Sequence, residues 1–87
     1  MRKKSRNLGT DDALTARLNA VGVHEVLFEL HSLGGSVRVT ALDPKSGTEV
    51  VVVCPSAYSE ETMQRRAASK LAYVLEKNKG EEKGILA

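Results

Sequence analysis

Residues 25–54 read EVLFELHSLGGSVRVTALDPKSGTEVVVVC and contain three apolar-rich runs separated by two turn-forming segments. The first segment is Gly34-Gly35, which suits a two-residue hairpin loop. The second is Pro44-Lys45-Ser46-Gly47, where proline fixes the entry, glycine accepts a left-handed backbone, and the preceding Asp43 can bond back to the turn. The stretch therefore predicts a three-strand antiparallel meander.

The two turns fix the register of the meander independently. The first loop sets Leu30 opposite Val39, and a four-residue second loop sets Val39 opposite Val52. Both assign the same side chains of the middle strand to one face, whereas a three-residue second loop would bring Glu49 into the core. The predicted inner face comprises Val26, Phe28, Leu30, Val37, Val39, Ala41, Val50, Val52 and Cys54. The predicted outer face comprises Glu25, Leu27, Glu29, His31, Arg38, Thr40, Leu42, Glu49, Val51 and Val53.

A helix is predicted on each side of the meander. Over residues 10–22, Thr10 can cap a short helix, Asp11 and Asp12 suit its first turn, and Gly22 can end it. Leu14, Leu18 and Val21 share one face of that helix.

The second helix follows Pro55, which stops the third strand. Ser59 caps it, and Glu60 and Glu61 are favourable in its first turn. Spacings of three and four predict that it continues to about Asn78 and ends at Gly80. Its apolar face, which should cover the inner face of the sheet, comprises Met63, Ala67, Leu71, Val74 and Leu75. The predicted class is α+β, in the order α-β-β-β-α.

A chain of 87 residues makes one domain. We expect a disordered basic arm over 1–9, a single domain over 10–79 with its core at 23–79, and a disordered tail over 80–87. The longest apolar run, Val50–Cys54, is far below the ~20 residues of a membrane span. Without a secretory signal pattern, the sequence predicts a cytoplasmic protein with no membrane association.

No constellation of catalytic or metal-ligating residues stands out. The one cysteine, Cys54, is placed on the inner face, His31 on the outer face, and His24 before the first strand, so they form no nucleophile–base pair. The chain has no HExxH, CxxC or phosphate-loop pattern. We expect no enzyme activity and no cofactor.

The outer face carries too many apolar residues for a surface left to water. Either the N-terminal helix or a second copy of the sheet could cover it, and the exposed third strand could add a partner's strand edge to edge. We predict a non-enzymatic module that forms a homodimer or binds a protein partner. Its candidate interaction face comprises Leu27, Glu29, Leu42, Val51 and Val53.

Basic residues suggest nucleic-acid binding as the alternative. The net charge is +2, and residues 1–9 alone carry four positive charges and no negative one. On the second helix, Arg66, Lys70, Tyr73 and Lys77 fall within roughly 60° of one another, a group called here the basic stripe. Its cations, Arg66, Lys70 and Lys77, are the candidate nucleic-acid contacts. Long basic side chains also commonly lie over the edge of a core with their charges in water.

The order α-β-β-β-α, together with Ala67-Ala68-Ser69-Lys70-Leu71-Ala72, resembles the double-stranded RNA-binding domain. That family places a lysine cluster at the start of its second helix to grip phosphates. This sequence has Glu60 and Glu61 there, and acidic groups would repel RNA.

A second resemblance covers about 55 residues. The segments Glu25–Glu29, Gly35–Ala41, Asp43–Val50 and Lys70–Leu75 are similar to a family of small bacterial proteins of unknown function. The resemblance implies the meander-plus-helix core and no particular activity.

Overall fold

The computed structural model describes residues 2–7 and 13–86, with side chains described over 13–79. The elements are β1 (Arg2–Asn7), α1 (Ala13–Ala20), β2 (Glu25–Leu33), β3 (Ser36–Leu42), β4 (Glu49–Pro55) and α2 (Glu60–Leu86). The strands form one antiparallel sheet in the order β1-β2-β3-β4. No helix among these residues is long and apolar enough to cross a membrane. The predicted α+β class, meander and C-terminal helix are confirmed.

The predicted register of the meander is also confirmed. Leu30 pairs with Val39, and Val39 pairs with Val52. Around the second turn, the amide of Asp43 donates to the Thr48 carbonyl at 2.9 Å, which leaves a loop of four residues. The Asp43 carboxylate accepts from the Lys45 amide at 3.1 Å and from the Ser46 hydroxyl at 2.7 Å. This buried aspartate therefore holds the turn that sets the position of β4.

Strand β1 corrects the expectation of a disordered arm over residues 1–9. Arg2–Asn7 pairs antiparallel with β2, with Arg2 opposite Leu30 and Asn7 opposite Glu25. The sequence pattern was a poor guide here because strand pairing uses backbone N–H and C=O groups, which every residue type but proline supplies in full. Residues 1, 8 and 9 of the predicted arm lie outside the described part of the chain.

Helix α2 corrects the expectation of a tail over residues 80–87. It does not end near Asn78 but runs through Gly80 to Leu86. A glycine costs an α-helix about 1 kcal/mol relative to alanine but keeps its backbone donor. Gly80 follows lysine and precedes two glutamates, which favour helix, and this context outweighs a single glycine. Residue 87 lies outside the described part of the chain.

Helix α1 ends where the sequence predicts. Gly22 has a φ of +86°, its amide donates to the Asn19 carbonyl at 3.0 Å, and the Val23 amide donates to the Leu18 carbonyl at 2.9 Å. This is a Schellman ending, with Leu18 and Val23 both buried in the core. The predicted capping residues Thr10, Asp11 and Asp12 lie outside the described part of the chain.

Both helices lie on the inner face of the sheet. Helix α1 packs against α2 and buries Leu18 completely, while α2 packs against β3 and β4. The expectation that α1 could cover the outer face is therefore wrong. The sequence could not decide this point, because an apolar helix face does not specify which side of a sheet it joins. The buried core comprises Leu18, Val23, Val26, Phe28, Leu30, Val37, Val39, Ala41, Val50, Cys54, Met63, Ala67, Ala68, Leu71 and Ala72.

An ion pair links the two helices at their surface. The guanidinium of Arg17 donates to both carboxylate oxygens of Glu76, at 2.8 and 3.1 Å. This hydrogen bond lowers the pKa of Glu76 and raises the pKa of Arg17, while partial desolvation opposes both shifts. The pair is solvent-exposed, so it orients α1 more than it stabilises the fold.

The glycine turn offers a matched pair of substitutions. Gly34 has a φ of +68°, in the left-handed region, whereas Gly35 lies outside that region, and an added methyl group meets no atom within 4 Å at either position. We expect Gly34→Ala to lower the free energy of unfolding by about 1–2 kcal/mol through backbone strain. We expect Gly35→Ala to change it by less than about 1 kcal/mol. Urea unfolding measures both, and equal losses would contradict this account of the turn.

Candidate interaction surface

The outer face of the meander is left uncovered by both helices. Leu27 and Leu42 lie opposite each other on β2 and β3 and are half-buried. Val51 is 38% exposed and Val53 is 63% exposed. Since Leu42 pairs with Glu49 and Thr40 with Val51, the leucines and the β4 valines form a diagonal apolar band. An exposed band of this kind is the usual mark of a contact surface.

Polar residues flank the apolar band. Glu29 is half-buried and lies opposite Thr40, which in turn lies opposite Val51. Arg38 is exposed and sits between His31 and Val53 in the next cross-strand row. The five residues predicted as the interaction face thus lie on one surface, but Glu29 borders the band instead of lying inside it.

Strand β4 forms one edge of the sheet. The Ser56 amide donates to the Gly35 carbonyl at 2.9 Å, which fixes the alternation of hydrogen bonds along the strand. Val50, Val52 and Cys54 therefore bond to β3, while the backbone groups of Glu49, Val51 and Val53 point away from the sheet. Pro55 closes this edge because it has no N–H group. The open edge of β4 is the backbone of Glu49, Val51 and Val53.

Lys70 reaches that open edge from α2. Its ammonium group donates to the Val51 carbonyl at 2.9 Å. A lysine at an edge strand is a common device against unwanted strand pairing. The sequence did not predict this contact. The position of Lys70 on the basic stripe indicates that its side chain points toward solvent, but it does not show which strand lies next to the helix.

The other members of the basic stripe differ in their contacts. The guanidinium of Arg66 lies 5.0 Å from the centroid of the Tyr58 ring and donates to the Tyr58 hydroxyl at 3.5 Å. Tyr73 is 59% exposed, and Lys77 is exposed. Two of the three candidate nucleic-acid contacts, Arg66 and Lys70, are thus engaged within the chain.

The side chains that could take part in catalysis or metal binding lie apart from one another. Cys54 is buried in the core with a free thiol. His24 is exposed and its Nδ1 lies 3.0 Å from Asn19 Oδ1, while His31 Nδ1 is buried without a hydrogen-bond partner in the described part of the chain. Among the described residues, no group of three or more His, Cys, Asp or Glu side chains could hold a metal ion.

Comparison with known proteins gives one match. A family model described as a domain of unknown function (DUF6898) matches residues 23–78. The matched region begins just before β2 and ends within α2, so it contains the apolar band, the open edge and the basic stripe. The resemblance to a family of unknown function is confirmed. No curated protein and no solved structure matches the chain.

The open edge predicts a measurable alternation along β4. We expect the amide protons of Val51 and Val53 to exchange with solvent about tenfold faster or more than those of Val50 and Val52, because only the latter two bond to β3. Hydrogen exchange followed by NMR tests this, with the doubly paired strand β3 as internal control. Uniform protection along β4 would mean that another strand covers the edge in solution.

Proposed function

We propose that this chain, which belongs to the family described as a domain of unknown function (DUF6898), is a non-enzymatic protein-interaction module that uses the outer face of its sheet. The observation that carries the proposal is that α1 docks beside α2 and not over the outer face. The apolar band of Leu27, Leu42, Val51 and Val53 is then left for a second copy of the chain or another protein.

The size of the face sets the strength of the contact. Four strands spaced ~4.8 Å apart and about 23 Å long present on the order of 450 Å² of flat area. A stable interface buries about 800 Å² on each partner. The outer face alone therefore supports a weak or transient complex, and a tighter one needs additional surface next to it.

We expect contacts at the outer face to depend on the apolar character of the β4 valines. The double substitution Val51→Thr and Val53→Thr preserves shape and strand preference but adds hydroxyl groups that lose water in an interface. Each hydroxyl should cost roughly 1 kcal/mol of binding, so association should weaken about tenfold or more. Sedimentation velocity over a range of concentrations measures self-association. Ala20→Ser with Ala57→Ser, at exposed positions off the face, is the matched control.

A photo-crosslinking amino acid placed at position 53 or at position 57 extends the test to other proteins in the cell. The proposal predicts discrete adducts from position 53 that position 57 does not give. A chain that stays monomeric at every concentration, and that gives the same crosslinks from both positions, would overturn it.

Nucleic-acid binding through the basic N-terminal arm together with Arg66, Lys70 and Lys77 is the alternative function. Because Glu60 and Glu61 lie in the first turn of α2 and would repel phosphates, we expect that the chain does not bind duplex RNA or DNA in a salt-dependent way. Fluorescence titration at two salt concentrations tests this expectation. Affinity that falls steeply with salt and is lost in Lys77→Gln would favour nucleic acid over a protein partner.

A further inference from the structure

We propose that the open edge of β4 binds an extended acidic segment of a partner protein, which adds to the sheet as a fifth strand, and that Lys70 determines this specificity. The inference rests on the proposed function in requiring a protein partner. The partner is given a defined chemistry, and its binding site combines the open edge of β4 with the basic stripe of α2.

The two edges of the meander differ in whether another strand of the chain pairs with them. Strand β1 pairs with β2 and covers that edge with the chain's own backbone. At β4, the N–H groups of Glu49, Val51 and Val53 and the carbonyl of Val53 have no backbone partner within the described part of the chain. A row of donors and acceptors with this spacing matches another extended strand.

The two sides of the open edge have opposite chemistry. On the outer side, the exposed side chains of Val51 and Val53 border it. On the helix side, Lys70 lies against it, and Arg66 and Lys77 continue the basic stripe along the same face of α2. Side chains of an added strand alternate between the two sides. The fitting segment therefore alternates apolar residues, facing the valines, with acidic residues, facing the stripe.

The spacing of the stripe fits such a segment. Arg66 and Lys70 are one turn apart on α2, about 6 Å along the helix axis. Residues i and i+2 of a strand are about 6.8 Å apart. Two successive acidic residues on the helix side of the segment can therefore each lie near one cation.

Lys70 can exchange one partner for another when the segment binds. In the free protein its ammonium group donates to the Val51 carbonyl. An incoming strand supplies a backbone N–H to that carbonyl, and the released ammonium can then pair with a carboxylate of the same strand. Both groups stay satisfied, and the new ion pair is a charge-assisted hydrogen bond. A segment without the carboxylate would return the exposed ammonium group to water and form no ion pair.

A second copy of the chain fits this edge poorly. Pairing two β4 edges would bring two basic stripes side by side, each with Arg66, Lys70 and Lys77, and like charges repel. An acidic segment turns the same charges into attraction. Duplex RNA would also meet the stripe, but its backbone has no N–H row for the strand and no apolar side chains for Val51 and Val53.

Two capped seven-residue peptides test the inference with the full-length protein, one alternating valine with glutamate and the other valine with lysine. NMR titration should show that the glutamate peptide shifts the Val51 and Val53 amide signals and slows their exchange. Lys70→Gln should weaken its binding about tenfold, whereas Lys79→Gln, which removes the same charge off the stripe, should not. Lys70→Glu should reverse the preference toward the lysine peptide, which a purely structural role for Lys70 would not produce.

Equal binding of the two peptides, or signal changes that avoid β4, would overturn the inference. Stronger changes at Arg66, Lys70 and Lys77 with duplex RNA than with the glutamate peptide would also overturn it, in favour of a nucleic-acid partner. If position 53 still gives discrete crosslinks in either case, the proposed function stands and only the acidic strand is wrong.

Discussion

The alternation of side chains along β3 is the constraint on which the rest of the structure depends. This strand is paired on both sides, so its register fixes which residues of β2 and β4 face the helices. Val39 and Ala41 are fully buried, and their neighbours in the sequence are left on the other face. A slip of one residue would exchange the core for the apolar band. The turn at Gly34 and the turn held by Asp43 prevent that slip.

The same alternation separates the residues of the core from those of the proposed interaction surface. Inner-face residues are committed to packing against Leu18, Met63 and Leu71. Outer-face residues have little role in the core, so their apolar character calls for another explanation. The open edge of β4 lies at the boundary between the core and the surface, because alternate side chains of this strand face the helices and the solvent. The helix that covers the core also places a lysine at this edge, so α2 contributes both to the fold and to the proposed interaction surface.

The sequence predicted the meander closely because its signals are local. Turn residues and period-two alternation act within a few positions of each other, and they determined every pair across β3. The strand β1 was not predictable in this way, because its pairing uses backbone groups of a distant segment and no side-chain pattern. The end of α2 was missed because one glycine is a weak signal among helix-forming neighbours. The docking side of α1 and the contact of Lys70 depend on the three-dimensional placement of whole elements, which no local pattern contains.

The covering of the β2 edge by β1 has a consequence for the order of folding. During synthesis β1 is made before its partner strand, which begins at Glu25, and α1 lies between them. The two hairpins of the meander close over short distances in the sequence and should form early. The inner face can be covered only after the middle of α2 has been made. The meander therefore has an uncovered apolar side until α2 packs against it.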